Sequence, residues 1–185
     1  MPAKNLRRSA KTVLALICAP LLAAAPVALG ANPTRASAQA PDAASTAISK
    51  SVQRLVNRMR AQRGLAPLRR SEALDRAARW QSRDMVTHGY FGHQRRNGPS
   101  LEERIRRTGY LKGARHWTIG ENIAWGEGEF SEPRNIVEGW MESSGHRRNI
   151  LSTRFGEIGI GLAFDGRSNA RNGEAIVITT DFGRR

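Results

Sequence analysis

Hydrophobic positions along the chain follow two periods. Ile48, Val52, Leu55, Val56 and Met59 recur at helical spacing, which predicts an amphipathic helix over 47–62 that stops before Gly64. Leu74, Ala77, Ala78, Gln81 and Met85 share one face of a second helix, with Ser71 as its N-cap. Ser100-Leu101-Glu102-Glu103 has the form of a capping box, and Gly109 supplies the stop of a short third helix. Ser131 is placed to cap a fourth, with Pro133 early in it and Ile136, Val137, Trp140 and Met141 facing inward. That helix is expected to end near Gly145. From 157 the period drops to two. Ile158, Ile160, Leu162 and Phe164 alternate with Glu157, Gly159, Gly161 and Ala163, a strand with one face of small residues. Asp165 to Gly173 is polar and turn-rich, and Ala175 to Phe182 is a second β-type run, so the two runs predict a hairpin. Helices early and paired strands late point to an antiparallel α+β fold rather than a doubly wound sheet.

The beginning of the chain has a different character. Residues 1–38 hold Lys4, Arg7, Arg8, Lys11 and Arg35 and no acid, and Val13 to Leu29 is almost wholly apolar. A basic start, an apolar stretch and small residues after it form the pattern of a secretory signal peptide. Pro20 and Pro26 interrupt the stretch and disfavour a permanent membrane-spanning helix. Cleavage is expected after Ala38 or Gly30. Residues 39–46 then read as the end of a flexible lead-in rich in Ala, Ser, Pro and Thr, and 47–185 as a single domain.

Composition narrows the chemistry. The 185 residues carry 30 Lys+Arg against 16 Asp+Glu, a formal charge of +14. Without the five basic residues of the leader, 25 basic against 16 acidic side chains leave +9. The single cysteine, Cys18, lies in the leader, so the domain has no disulfide framework and no multi-cysteine metal site. An exported, thiol-free product moves redox and nucleotide chemistry down the list of functions. The pairs Arg69-Arg70, Arg95-Arg96, Arg106-Arg107, Arg147-Arg148 and Arg184-Arg185 are spread along the chain. They read as solvated faces, or as a means of adhering to anionic envelope polymers such as lipopolysaccharide or teichoic acid. No interleaved aromatic stacking surface marks a specific nucleic-acid partner.

Four histidines are present, His88, His93, His116 and His146, without an HExxH helix, a GxSxG elbow or a phosphate loop. Three dense islands stand out: Met85 to His93, Gly120-Glu121-Asn122-Ile123-Ala124, and Trp140 to Leu151 leading into Ile158-Gly159-Ile160-Gly161. Together they resemble the CAP superfamily (cysteine-rich secretory proteins, antigen 5, pathogenesis-related 1; SCP/PR-1-like), in its cysteine-free bacterial branch. The resemblance covers about 47–182. It implies a three-layer α-β-α sandwich around a central antiparallel sheet, and a cavity lined by His93, Glu121, Ser143 and His146. Many relatives carry a second acid where Ser143 stands. On a continuous helix Ser143 lies about 60° from Trp140, on the inward half, while Glu138 and Glu142 point outward. The C-terminal signature of the family is altered at Ile178 and Thr180.

Two neutral imidazoles, His93 and His146, can ligate a divalent metal such as zinc, with Glu121 as acceptor, as the partner that orients a ligand, or as a ligand itself. The same groups can instead hydrogen-bond one another and pin three loops to the sheet. No cofactor is demanded. Ser143 and Ser144 near His146 lack an orienting Asp for a serine nucleophile. His88 reads as a helix-end residue and His116 as a surface or packing residue. Asn122, Trp140, Gly145 and Asn149 read as structural parts of the motif, and Trp80, Trp125 and Trp140 as core. The resulting expectation is a secreted, monomeric binding protein of the envelope or extracellular space, taking anionic polymers or a lipid or small apolar ligand. A zinc-dependent hydrolase of peptides or envelope polymers is the alternative.

Overall fold

The computed structural model describes residues 43–165 and 175–185. The leader and most of the 165–173 turn lie outside the described residues. The elements run α1 (Ala43–Ala61), β1 (Arg69–Arg70), α2 (Glu72–His88), α3 (Leu101–Arg107), β2 (Thr118–Gly126), α4 (Pro133–Glu142), α5 (Ser144–Leu151), β3 (Glu157–Asp165) and β4 (Ala175–Arg184), with a 3-10 turn over Gly128–Ser131. The sheet order is β1-β3-β4-β2. β3 and β4 form the expected hairpin, and β4 pairs antiparallel with β2. The sheet is mixed rather than wholly antiparallel, because the two residues of β1 run parallel to β3 as the chain passes from α1 into α2.

Each face of the sheet carries helices. Ile158, Ile160, Leu162, Ile176, Ile178 and Phe182 join Val52 and Val56 of α1 and Ile136, Val137 and Trp140 of α4 in the larger core. The opposite face is built for close approach. A Cβ at Gly159 or Gly161 would collide with the backbone of Leu74 or Arg79, so the small residues of β3 let α2 lie directly on the sheet. Asp75 fastens that contact by accepting the Ile160 N–H at 2.7 Å and Arg70 Nε at 2.6 Å. A further cluster of Leu74, Ala77, Ile105, Tyr110 and Leu111 ties α3 to α2.

Helix signals were legible to different degrees. Ser71 caps α2 and Gly89 ends it in the left-handed region at φ 65°. The Ser100–Glu103 capping box is formed. α1 begins at Ala43 rather than 47, so the final residues of the expected flexible lead-in are helical, in keeping with the high helix propensity of alanine. Ser131 does not cap α4; its hydroxyl donates to Gly128 O within the 3-10 turn, and Glu132 stands at the N-cap without a side-chain bond. α4 also stops at Glu142, because Ser143 adopts an extended backbone (φ −83°, ψ 121°) and α5 starts afresh at Ser144.

Two of the three core tryptophans expected are not core. Trp140 is 2% exposed, but Trp80 is 39% and Trp125 51% exposed. Trp80 lies two residues past Ala78, about 160° around α2 from it, at the margin of the buried face. Trp125 sits near the end of β2, the terminal strand of the sheet.

Candidate functional site

β2 is an edge strand, and its open side is where the motif islands meet. Two of its carbonyls take side-chain donors: Asn149 Nδ2 reaches Glu121 O at 3.0 Å, and Trp140 Nε1 reaches Ile123 O at 3.0 Å. Asn149 Nδ2 also donates to Asn122 Oδ1 at 2.9 Å, while Asn122 Nδ2 donates to His146 O at 3.1 Å. These amides bind α5 to the strand and cover an edge that would otherwise offer unpaired backbone groups. At Gly145, in the first turn of α5, an added Cβ would come within ordinary contact distance of the tip of the Arg148 side chain.

The loop after α2 carries His93 and is tethered by buried polar groups. Gln81 Nε2 donates to Gly92 O at 2.7 Å, and Tyr90 Oη donates to Asp84 Oδ2 at 2.8 Å. Arg104 of α3 donates from Nη1 to His93 O at 3.0 Å and to Pro99 O at 3.2 Å. His88, at the end of α2, pairs with Asp84 and takes no part in this cluster, and His116 is exposed.

Glu121 is the hub. Its carboxylate meets His93 Nδ1 through Oε1 at 2.8 Å and the Arg104 guanidinium through Oε2. The Glu121 and Arg104 side chains are 2% and 1% exposed, whereas His93 is 57% exposed. The buried pair therefore anchors an imidazole whose other ring nitrogen is left for solvent or a ligand. The hydrogen bond that His93 donates to Glu121 raises the His93 pKa above its ordinary value, with burial opposing. Burial, and after it the charge of His93, lowers the His146 pKa. His93 and His146 thus sense one another, one favoured as the cation and the other as the neutral base. Ser143 is half-buried at the α4–α5 break and makes no side-chain cap bond.

Sequence reasoning missed two participants. Arg104 reads as one more charge on a short basic helix, yet it is the buried counterion of Glu121. Asp181 lies directly across from Glu121 on β4 with no exposure. Burial, and then the negative charge of Glu121, raises its carboxyl well above the usual carboxylate range. A second acid therefore exists, although not at the Ser143 position. A charged residue inside an otherwise uncharged β run, Ala175 to Phe182, was the signal that could have found Asp181.

Among the described residues, no group of three or more His, Cys, Asp or Glu side chains is arranged to hold a metal ion. Glu121 has both oxygens engaged, one by His93 and one by Arg104. A surface depression of about 440 Å³ lies along α1, lined by Ala43, Thr46, Ala47, Lys50, Ser51 and Arg54, and includes none of the four residues expected to line a cavity.

Solved structures share this arrangement of helices and sheet. An extracellular SCP-domain protein from Bacillus anthracis superposes with a TM-score of 0.61 at 26% identity, over 76% of this chain and 41% of that one. An outer surface protein of Borrelia burgdorferi gives 0.60 at 18% identity, over 76% and 95%. In sequence, the uncharacterized protein YkwD of Bacillus subtilis is 38% identical over 136 residues, 74% of this chain and 50% of YkwD. The uncharacterized membrane protein YlbC of the same organism is 31% identical over 63% of this chain and 32% of its own length. The chain thus spans half or less of the length of these two relatives. The model of the cysteine-rich secretory protein family, CAP, matches residues 53–182, and the chain belongs to that family.

Proposed function

We propose that this CAP domain is an exported binding module whose contact surface is the β2 edge, where His93 and His146 stand among exposed arginines and meet anionic groups of envelope polymers. The supporting observation is the engagement of Glu121: with both oxygens held by Arg104 and His93, the acid is neutralised inside, and what faces outward is a cation-favouring imidazole. Arg96 beside His93, and Arg147 and Arg148 beside His146, are exposed and carry charge of the same sign. Anionic polymers suit this rim better than a divalent cation does. Export is supported by the leader pattern, and the Bacillus anthracis relative is itself described as extracellular. No described helix is long and apolar enough to cross a membrane.

The test is retention on immobilised lipoteichoic acid or lipopolysaccharide as salt rises. Screening shortens from about 8 Å at physiological salt to about 3 Å at 1 M, so electrostatic retention must fall steeply. The double substitution Arg147→Ser, Arg148→Ser should weaken it at low salt. Retention that ignores both salt and the substitutions contradicts the reading.

One observation supports the metal-dependent alternative. A carboxylate on one nitrogen of His93 is the arrangement that orients metal-ligating imidazoles. Stoichiometric zinc uptake at micromolar concentration, lost in both His93→Ala and His146→Ala, would favour it.

A further inference from the structure

Between the sheet and the α2–α3 layer, two buried acids share one buried base. Asp181 on β4 pairs in register with Glu121 on β2 and Gly159 on β3, so all three project to the side on which α2 packs. Neither Asp181 oxygen receives a hydrogen bond from an N–H or hydroxyl donor, although the residue is wholly buried. Arg104, from α3, commits Nη2 to Glu121 and Nη1 to the carbonyls of His93 and Pro99, and its Nε has no partner. From α2 the charged neighbour is Asp75, already engaged by Arg70 and the Ile160 N–H. From β3 the register partner is a glycine, which offers nothing. The His93 imidazole reaches the cluster through Glu121, and the His93 carbonyl through Arg104.

One buried guanidinium cannot neutralise two carboxylates that are both buried. We propose that Asp181 is neutral in the folded protein and that its proton bridges to Glu121, making Asp181 a positioning residue for the Glu121–His93 pair. The proton is the one hydrogen available to the Asp181 oxygens, which no other donor serves, whereas Glu121 already accepts from His93 and Arg104. Glu121 then carries the single negative charge facing Arg104, the buried cluster is neutral, and His93 with the arginines sets the sign of the surface. Burial and the charge of Glu121 act on Asp181 in the same direction, against Arg104. The assignment is independent of which ligand the exposed imidazoles meet.

The experiment uses the full chain with Asp181→Asn and Asp181→Leu. Asparagine keeps the shape and can donate an amide hydrogen to Glu121; leucine cannot. Infrared difference spectra at pH 7 should show the C=O stretch of a neutral carboxyl group in the wild type and not in D181N. The folded wild type also retains a proton that the unfolded chain releases above about pH 4, so its stability falls as pH rises from there toward the raised folded pKa. The thermal midpoint of D181N relative to wild type should therefore climb as pH rises above about 4. The Nδ1–H signal of His93 should match wild type in D181N and move in D181L. A wild type without the neutral-carboxyl band, or a D181N midpoint that falls relative to wild type as pH rises, overturns the proposal. If D181L does not fold, D181N and the infrared band still decide. Both are read without ligand, so their failure leaves polymer binding standing or falling on its own test.

Discussion

His93 and His146 come from different islands and are driven in opposite directions by the same small region. A carboxylate on Nδ1 favours the charged form of His93, while burial and that neighbouring charge favour the neutral form of His146. NMR titration should find His93 protonating at higher pH than His146. In stability, the raised His93 pKa contributes fully below about pH 6.5, and the contribution is lost as pH rises through the folded value. His146, with a lowered pKa, costs stability as pH falls from about 6.5 through its folded value. His93→Gln should flatten the alkaline side of the thermal profile. Arg104 is the harsher test. Arg104→Met strands the buried Glu121 charge and should cost about 3–5 kcal/mol by chemical denaturation, and adding Glu121→Leu should restore part of the loss. His93, Glu121 and His146 were legible because motif spacing marks them. Arg104 and Asp181 were not, since one charge on a charged helix, or one acid in a strand, looks the same whether it faces water or another buried charge.

At the level of elements, regular period made α1–α4 and the β3–β4 hairpin readable. β2 was not readable as a strand, because Glu121 and Asn122 interrupt its alternation for reasons that lie elsewhere in the fold: one holds His93 and Arg104, the other holds α5. The break at Ser143 was hidden for a related cause. The helix was expected to run on to near Gly145, and the extended backbone of Ser143 ends it two residues earlier, where α5 begins its own docking against β2. That docking is measurable. Asn149→Ala leaves Glu121 O without its side-chain donor and should destabilise by about 1–3 kcal/mol. Gly161→Ala drives a methyl group into the backbone of Arg79 and should cost about 1–3 kcal/mol or more, read as a lower denaturation midpoint.

For the molecule as a whole, the fold was legible from three short islands and an α-then-β order, and the CAP model spans 53–182. The sign of the contact surface was less so, because +14 over the chain does not say where charge collects or which carboxylates are already paired. The structure pairs the buried acid internally and leaves imidazole and guanidinium groups outside. Histidine side-chain NMR at neutral pH, with lipoteichoic acid and zinc added in separate titrations, addresses this most directly. Salt-reversible shifts at His93 with the polymer, and no stoichiometric shift with zinc, are the predicted result. Stoichiometric zinc shifts at both His93 and His146, with no response to the polymer, would contradict it.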